Sequence, residues 1–286
     1  MQGKWHSAVQ SPGPTPDGGG DRWGDLRPRV ISGVVLVAAA VVLALSTGAV
    51  FAFLVSAFIA VTFWELARMT TGTTLPGGPE ARHRHRLFMA VLAGVSVFAA
   101  GLMPQTAPWV FAFPILVGLP AIAPRFRAAF VGFGLALALV GFTLVVLRAQ
   151  FGLGVLLWLL GIVVVSDVLG YFAGRMIGGP RFWPRISPKK TWSGTIAGWI
   201  GAVVVAILAW ACGVGGWALL LVSPLVAFAG QMGDIAESWL KRRVGVKDSS
   251  NLIPGHGGFM DRFDALSGAV LMVGLLDLMG WLPIGA

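Results

Sequence analysis

Residues 217–264 read WALLLVSPLVAFAGQMGDIAESWLKRRVGVKDSSNLIPGHGGFMDRFD, an apolar run that turns polar at Gly233 and yields after Asp264 to a second apolar run, 265–283. Apolar runs of about 20 residues are what a helix needs to span a bilayer, so two of them around a polar loop form the basic unit of a polytopic membrane protein. The polar stretch from Gly233 to Asp264 holds Asp234, Glu237, Asp248, Asp261 and Asp264, against 12 acidic residues in the whole chain. Its left edge reads as the end of a helix, because Gly230, Asp234, Glu237 with Ser238, and Lys241 recur at helical spacing on one face. Asp261, Asp264 and Gly268 open the next helix in the same manner. Between them Ser249, Ser250, Asn251, Pro254, Gly255, Gly257 and Gly258 supply turn chemistry. The loop must therefore return between two helices, and that return can bring the Asp234 and Asp261 faces together beside Lys241, Arg242, Lys247, His256 and Arg262. Carboxylates facing cations suit Mg²⁺ and phosphate oxygens. A solvated, charge-balanced loop is the plain alternative.

The same pattern extends outward. At 286 residues, 56% hydrophobic and 12% charged, the chain falls outside the range of soluble domains, where about 25% of residues are charged. Apolar runs begin at Val30 and cover roughly 50–64, 87–103, 108–123, 128–147, 153–170, 194–212, 217–235 and 265–283. The expected fold is all-α, a polytopic membrane protein of about nine transmembrane helices. If the N-terminus is cytosolic, every Lys and Arg except Arg148 falls in a cytosolic segment, and the positive-inside rule favours that orientation. Residues 1–26, with Pro12, Pro14, Pro16 and Gly18 to Gly20, read as a disordered cytosolic tail, and 27–286 as a single integral-membrane domain. The net charge of +9 belongs to this topology and to anionic lipid headgroups rather than to nucleic acid. The lone Cys212 excludes an intramolecular disulfide. Glu65 is expected at the membrane interface, pairing with Arg68. Asp277, inside the last run, is expected to be exposed to water or paired within its helix.

A second polar region spans Ser166 to Thr195. Asp167 closes an apolar run, Tyr171 follows four residues later, and Gly170 and Gly174 permit close helix packing. Arg181, Arg185, Lys189 and Lys190 lie in a proline-punctuated loop just before the next helix, whose first turn can offer free N–H groups to an anion.

The pattern Ser238-x-Leu240-Lys241-Arg242-x4-Lys247-Asp248-x-Ser250-x2-Ile253-Pro254-x-His256-Gly257-Gly258-Phe259-x-Asp261-Arg262-Phe263-Asp264 resembles the signature of the phosphatidate cytidylyltransferases, or CDP-diacylglycerol synthases. Ser187-Pro188-Lys189-Lys190-Thr191-Trp192-x-Gly194 is similar to a second block of that family, although Ser193 stands where an acidic residue is usual. Asp167-Val168-Leu169-Gly170-Tyr171 also departs from the usual Asp-Thr-Gly-Ala-Tyr. The resemblance implies that CTP and phosphatidic acid give CDP-diacylglycerol and pyrophosphate at a cytosolic face, in a bacterial inner membrane, with a lipid phosphate oxygen attacking the α-phosphorus. It implies Asp234 and Asp261 as ligands of Mg²⁺, which a second cation can share, with Lys241 and Asp264 also catalytic. Asp167, Lys189, Lys190, Arg242, Lys247, Asp248, His256 and Arg262 would bind substrate. A homodimer is compatible with this reading. Two alternatives stand beside it: a cytidylyltransferase acting on an isoprenoid lipid phosphate, and an ion-coupled transporter whose intramembrane acids form a pathway.

Overall fold

The computed structural model of the chain describes residues 26–71, 78–254 and 257–284. The expected tail, up to residue 25, and His256 lie outside the described residues. Among the described residues eight α-helices follow in order: α1 (Leu26–Leu45), α2 (Gly48–Thr70), α3 (Gly78–Leu102), α4 (Ala107–Gly118), α5 (Arg127–Met176), α6 (Trp192–Ala211), α7 (Leu219–Val244) and α8 (Asp264–Leu278). Among the described residues, five helical segments are long and apolar enough to cross a membrane: Gly48–Thr70, Gly78–Leu102, Pro124–Met176, Trp192–Ala211 and Leu219–Val244. The apolar runs expected at 128–147 and 153–170 are both in α5, which breaks at Gly152 with φ 75° and ψ −156° instead of passing through a loop. Only a residue without a Cβ adopts that backbone cheaply. Two other runs form shorter helices. α4 has 12 residues with Pro114 inside it, and α8 has 15, or about 18 and 22 Å of rise.

Packing rests on small residues, as expected where lipid is as apolar as the side chains. A Cβ on Gly233 would strike the Asp264 carbonyl oxygen, and one on Gly268 the Ala229 carbonyl, so α7 and α8 approach backbone to backbone. Gly194 likewise lies against the Gly170 carbonyl, joining α6 to α5. Each of these contacts lies beside a charged residue of interest, which places Asp234, Asp264 and Asp167 where neighbouring helices can face them.

One buried core gathers Ile59, Val97, Leu159, Val226 and Val270; a second gathers Phe63, Leu66, Met89, Phe130, Leu240 and Met260. The second cluster includes residues from both sides of the polar loop, so it forms the floor on which the loop sits. At the other end of the α6–α7–α8 group, Gly216 N donates to Pro283 O at 2.9 Å and Gly215 bridges Ile284. The segment before α6, expected as an irregular proline-punctuated loop, contains a small antiparallel hairpin. Its strands are β1 (Arg181–Trp183) and β2 (Ser187–Thr191), paired Arg181 to Thr191 and Trp183 to Ser187.

Candidate active site

The end of α7 has a local cause. Lys241, Arg242 and Arg243 occupy its last turn, where cations complement the helix dipole, and Gly245, at φ 87°, closes it by donating to the Lys241 and Arg242 carbonyls. The chain then doubles back, and Asp261 holds the neck of the return. Its Oδ2 accepts from Ser249 N at 2.9 Å, Ser249 Oγ at 3.0 Å and Gly258 N at 2.8 Å, while Oδ1 accepts from Lys241 Nζ at 2.6 Å. Burial alone would raise the Asp261 pKa. The Lys241 ammonium and the backbone N–H groups of Ser249 and Gly258 bring it down to about 2. Lys241 also lies 3.1 Å from Glu237 Oε1. That contact lacks hydrogen-bond geometry, and both Glu237 oxygens are buried without a hydrogen-bond partner among the described residues.

On the facing side of the cavity, β2 ends at Thr191, which caps α6 by accepting from Gly194 N at 3.3 Å. The first turn of α6, expected to be open to an anion, thus has one of its N–H groups taken by its own cap. Lys190 extends from the strand to Asp234 Oδ2 at 2.5 Å and to the Gln231 carbonyl at 3.4 Å. Ser193 donates to the Gly178 carbonyl at 2.5 Å and lies 3.0 Å from Thr191 Oγ1. Its hydroxyl therefore tethers the turn between α5 and β1.

These elements enclose a cavity of about 610 Å³. Of the sequence-derived site residues, Asp167, Lys189, Lys190, Asp234, Lys241, Asp248, Asp261, Arg262 and Asp264 line it. Lys247 lines an adjoining cavity of about 400 Å³ that shares Asp248 and Arg262. Arg242 is exposed and lines neither. A third, largely apolar cavity of about 480 Å³ is bounded by α5, α7 and α8 through Phe133, Ala136, Leu137, Ala236, Trp239 and Leu271; it shares Asp264 with the polar one.

The profile of the cytidylyltransferase family matches residues 27–278. The chain belongs to the cytidylyltransferase family. It is 32% identical over 275 residues to a phosphatidate cytidylyltransferase of Pseudomonas aeruginosa, covering 90% of this chain and 98% of that protein. It is also 43% identical over 160 residues to one of Brucella abortus, a match of 54% of this chain that spans 56% of the relative's length, and 40% identical over 134 residues to one of Helicobacter pylori. The family match begins at residue 27, so it takes in the N-terminal helices as well as the two polar blocks.

In this cytidylyltransferase-family chain several polar residues at the site are visible only in three dimensions. Gln231 Nε2 donates to Thr195 O at 3.3 Å and Ser166 Oγ at 3.4 Å, and its Oε1 accepts from Trp199 Nε1 at 3.1 Å. It thereby ties α5, α6 and α7 together beneath Lys190. Helical spacing placed Gln231 beside Gly230 but carried no sign of partners on two other helices. Glu65 corrects an expectation. It is fully buried, its carboxylate accepts from the polar loop, and Arg68 instead stacks over the Trp64 ring at 5.8 Å. Three donors converging on a buried carboxylate outweigh one solvent-screened partner at i+3.

Proposed function

We propose that this protein transfers the cytidylyl group of CTP to phosphatidic acid, releasing pyrophosphate and forming CDP-diacylglycerol. One observation carries the reading: the two polar blocks, far apart in sequence, converge on one cavity that shares Asp264 with an adjoining apolar cavity. A lipid phosphate is amphipathic in the same sense, so its headgroup would enter the polar cavity while its acyl chains occupy the apolar one. Matching relatives named as phosphatidate cytidylyltransferases support the same substrate pair.

The charges of the cavity define what the reaction still needs. Asp167, Asp234, Asp248, Asp261 and Asp264 stand against Arg175, Lys189, Lys190, Lys241 and Arg262, so the lining is balanced and cannot alone neutralise a triphosphate and a phosphate monoester. A divalent cation fits this deficit. Among the described residues no three His, Cys, Asp or Glu side chains converge as a metal cage, and Mg²⁺ ordinarily takes one or two carboxylates and fills its shell with water and phosphate oxygens. Asp234 would hold it. Asp264 is the second carboxylate whose position suits the role, since Asp261 can serve only by releasing Lys241. When bound, such a cation supplies positive charge where the two anionic reactants meet.

The chain's own groups do the rest. Lys189, Lys190 and Arg262 bind phosphate oxygens and orient the α-phosphorus for in-line attack by the lipid phosphate oxygen. That oxygen is already ionised near neutral pH, so no general base is required. Lys241, clamped between Glu237 and Asp261, offers a fixed cation to charge developing on the departing pyrophosphate. Asp167 and Asp248 line the same cavity and would contact substrate there.

We place the N-terminus and both polar blocks on the cytosolic face of a bacterial inner membrane, with nine crossings in one membrane domain; the distribution of basic residues supports this. Purified protein incubated with phosphatidic acid and each labelled nucleoside triphosphate tests the reaction. CDP-diacylglycerol should form from CTP and stop on chelation of divalent cations. Absence of product with CTP, or product undiminished by chelator, overturns the assignment. Labelling of cysteines engineered within 236–264 by an impermeant reagent from outside intact cells would overturn the topology.

A further inference from the structure

The loop that carries Asp261 has a second carboxylate at its neck, and it comes from the other half of the chain. Glu65, on α2, is fully buried. Its Oε1 accepts from Phe259 N at 2.8 Å and its Oε2 from Met260 N at 2.6 Å; Ser250 Oγ donates to Oε1 in a short hydrogen bond. Phe259 is the residue preceding the 3-10 turn Met260–Arg262 and has no side chain able to cap it. Glu65 performs that task from another helix, satisfying N–H groups that would otherwise be buried unpaired.

The two carboxylates divide the neck between them. Asp261 takes residues 249 and 258, and Glu65 takes 250, 259 and 260, so neighbouring residues on each side of the neck are tied to different anchors. Nothing larger than glycine fits between. A Cβ on Gly258 would strike Ser249 Oγ and lie 2.7 Å from Glu65 Oε1. The same face of α2 presents Phe58, seven residues before Glu65, whose ring packs on Phe259 at 5.0 Å and Phe263 at 4.4 Å. One face of α2 thus docks the loop through both an aromatic and a charged contact.

We propose that Glu65 is a positioning residue for the transfer reaction: from α2 it sets where the loop presents Asp248, Asp261 and Arg262 to the cavity. This rests on the nucleotidyl-transfer reading, but the clamp itself can be tested without it. Glu65→Gln keeps the size of the side chain while placing an amide NH₂ against donors. In full-length protein in detergent, it should lower kcat by about tenfold or more while leaving KM for CTP within about threefold, because misplacement of reacting groups acts on the transition state more than on binding. Amide exchange at Phe259 and Met260 should accelerate by about tenfold or more, with exchange in α5, α7 and α8 unchanged. Ser250→Ala, which removes one donor of three, should move both readouts in the same direction by less.

Wild-type kcat in Glu65→Gln overturns the proposal. So does exchange that rises evenly across α2, α5, α7 and α8, since that would mark a merely structural residue. If the wild-type protein makes no CDP-lipid, the functional reading fails instead. Exchange then decides alone, and unaltered protection at Phe259 and Met260 in Glu65→Gln would remove the clamp.

Discussion

The loop from Gly245 to Phe263 and the segment from Ile177 to Thr191 border the same cavity, yet they are held in different ways. The first is tied at its neck by two carboxylates, Asp261 and Glu65, which accept from backbone N–H groups and from Ser249 and Ser250. The second is held by strand pairing between β1 and β2, by neutral hydroxyls, Ser193 on Gly178 and Thr191 on Gly194, and by one partly exposed ion pair, Lys190 with Asp234. Hydrogen bonds to a charged group contribute roughly twice what neutral ones do, and a buried charge left unpaired is costly. The carboxylate-held loop should therefore tolerate little change, whereas the hydroxyl-held segment should tolerate more.

Asp261→Asn should produce the largest effect, because it removes one of the two carboxylates at the neck and leaves Lys241 facing Glu237 alone. Turnover should fall below detection, and stability in detergent should drop by about 2–4 kcal/mol, measurable as a lower thermal midpoint. The pH dependence has a definite sign. With a folded pKa of about 2 against 3.8 for the free side chain, the carboxylate's contribution is complete above about pH 4 and disappears as pH falls toward 2. Wild type and Asp261→Asn should therefore converge in stability on acidification. If they remain equally far apart at low pH, the charge is not what holds the neck.

Asp234→Asn separates chemistry from anchoring. Its carboxylate faces the cavity, contacts Ser238 and makes one partly exposed ion pair with Lys190 on β2, so turnover should fall by about a thousandfold or more while stability shifts by less than about 1 kcal/mol. A stability loss matching that of Asp261→Asn would erase the distinction between the two regions.

Lys190→Gln probes the hydrophilic side of the hairpin. Loss of its cation should reduce kcat/KM for CTP by about 10–100-fold, with insertion and thermal midpoint retained. Unchanged kinetics would return this lysine to a structural role opposite Asp234.

Ser193→Ala should have the smallest effect. It removes the hydroxyl contact to Gly178, worth about 1 kcal/mol, and turnover should stay within about threefold of wild type. A near-complete loss of activity would show that this hydroxyl has taken over the work of the acidic residue usual at that position, and would sharpen the view of the second block.

Parts of this arrangement are legible along the chain because their causes are local. Asp234, Glu237 and Lys241 share a face through helical periodicity alone, and Gly245 ends α7 through its own conformation. The hairpin before α6 is not legible, since Pro184 and Pro188 argue against strands and the pairing comes from contacts across the turn. Glu65 misleads for a related reason. Its nearest visible partner is Arg68, one helical turn away, whereas its actual partners are Ser250, Phe259 and Met260, 185 to 195 residues downstream.

Composition and the rhythm of apolar runs were sufficient to make this a helical membrane protein with its acids and bases confined to a few segments, because transfer of side chains between water and lipid depends only on what those side chains are. The identity of the polar blocks likewise lies in their residues. Tertiary structure decided which carboxylate serves which purpose. Asp261 has each oxygen engaged by donors, Asp234 and Asp264 face the cavity, and Glu65 is turned from Arg68 to the polar loop as an anchor. Those roles depend on which donors lie within about 3 Å of an oxygen, and only packing of α2, α5, α7 and α8 against one another sets that distance.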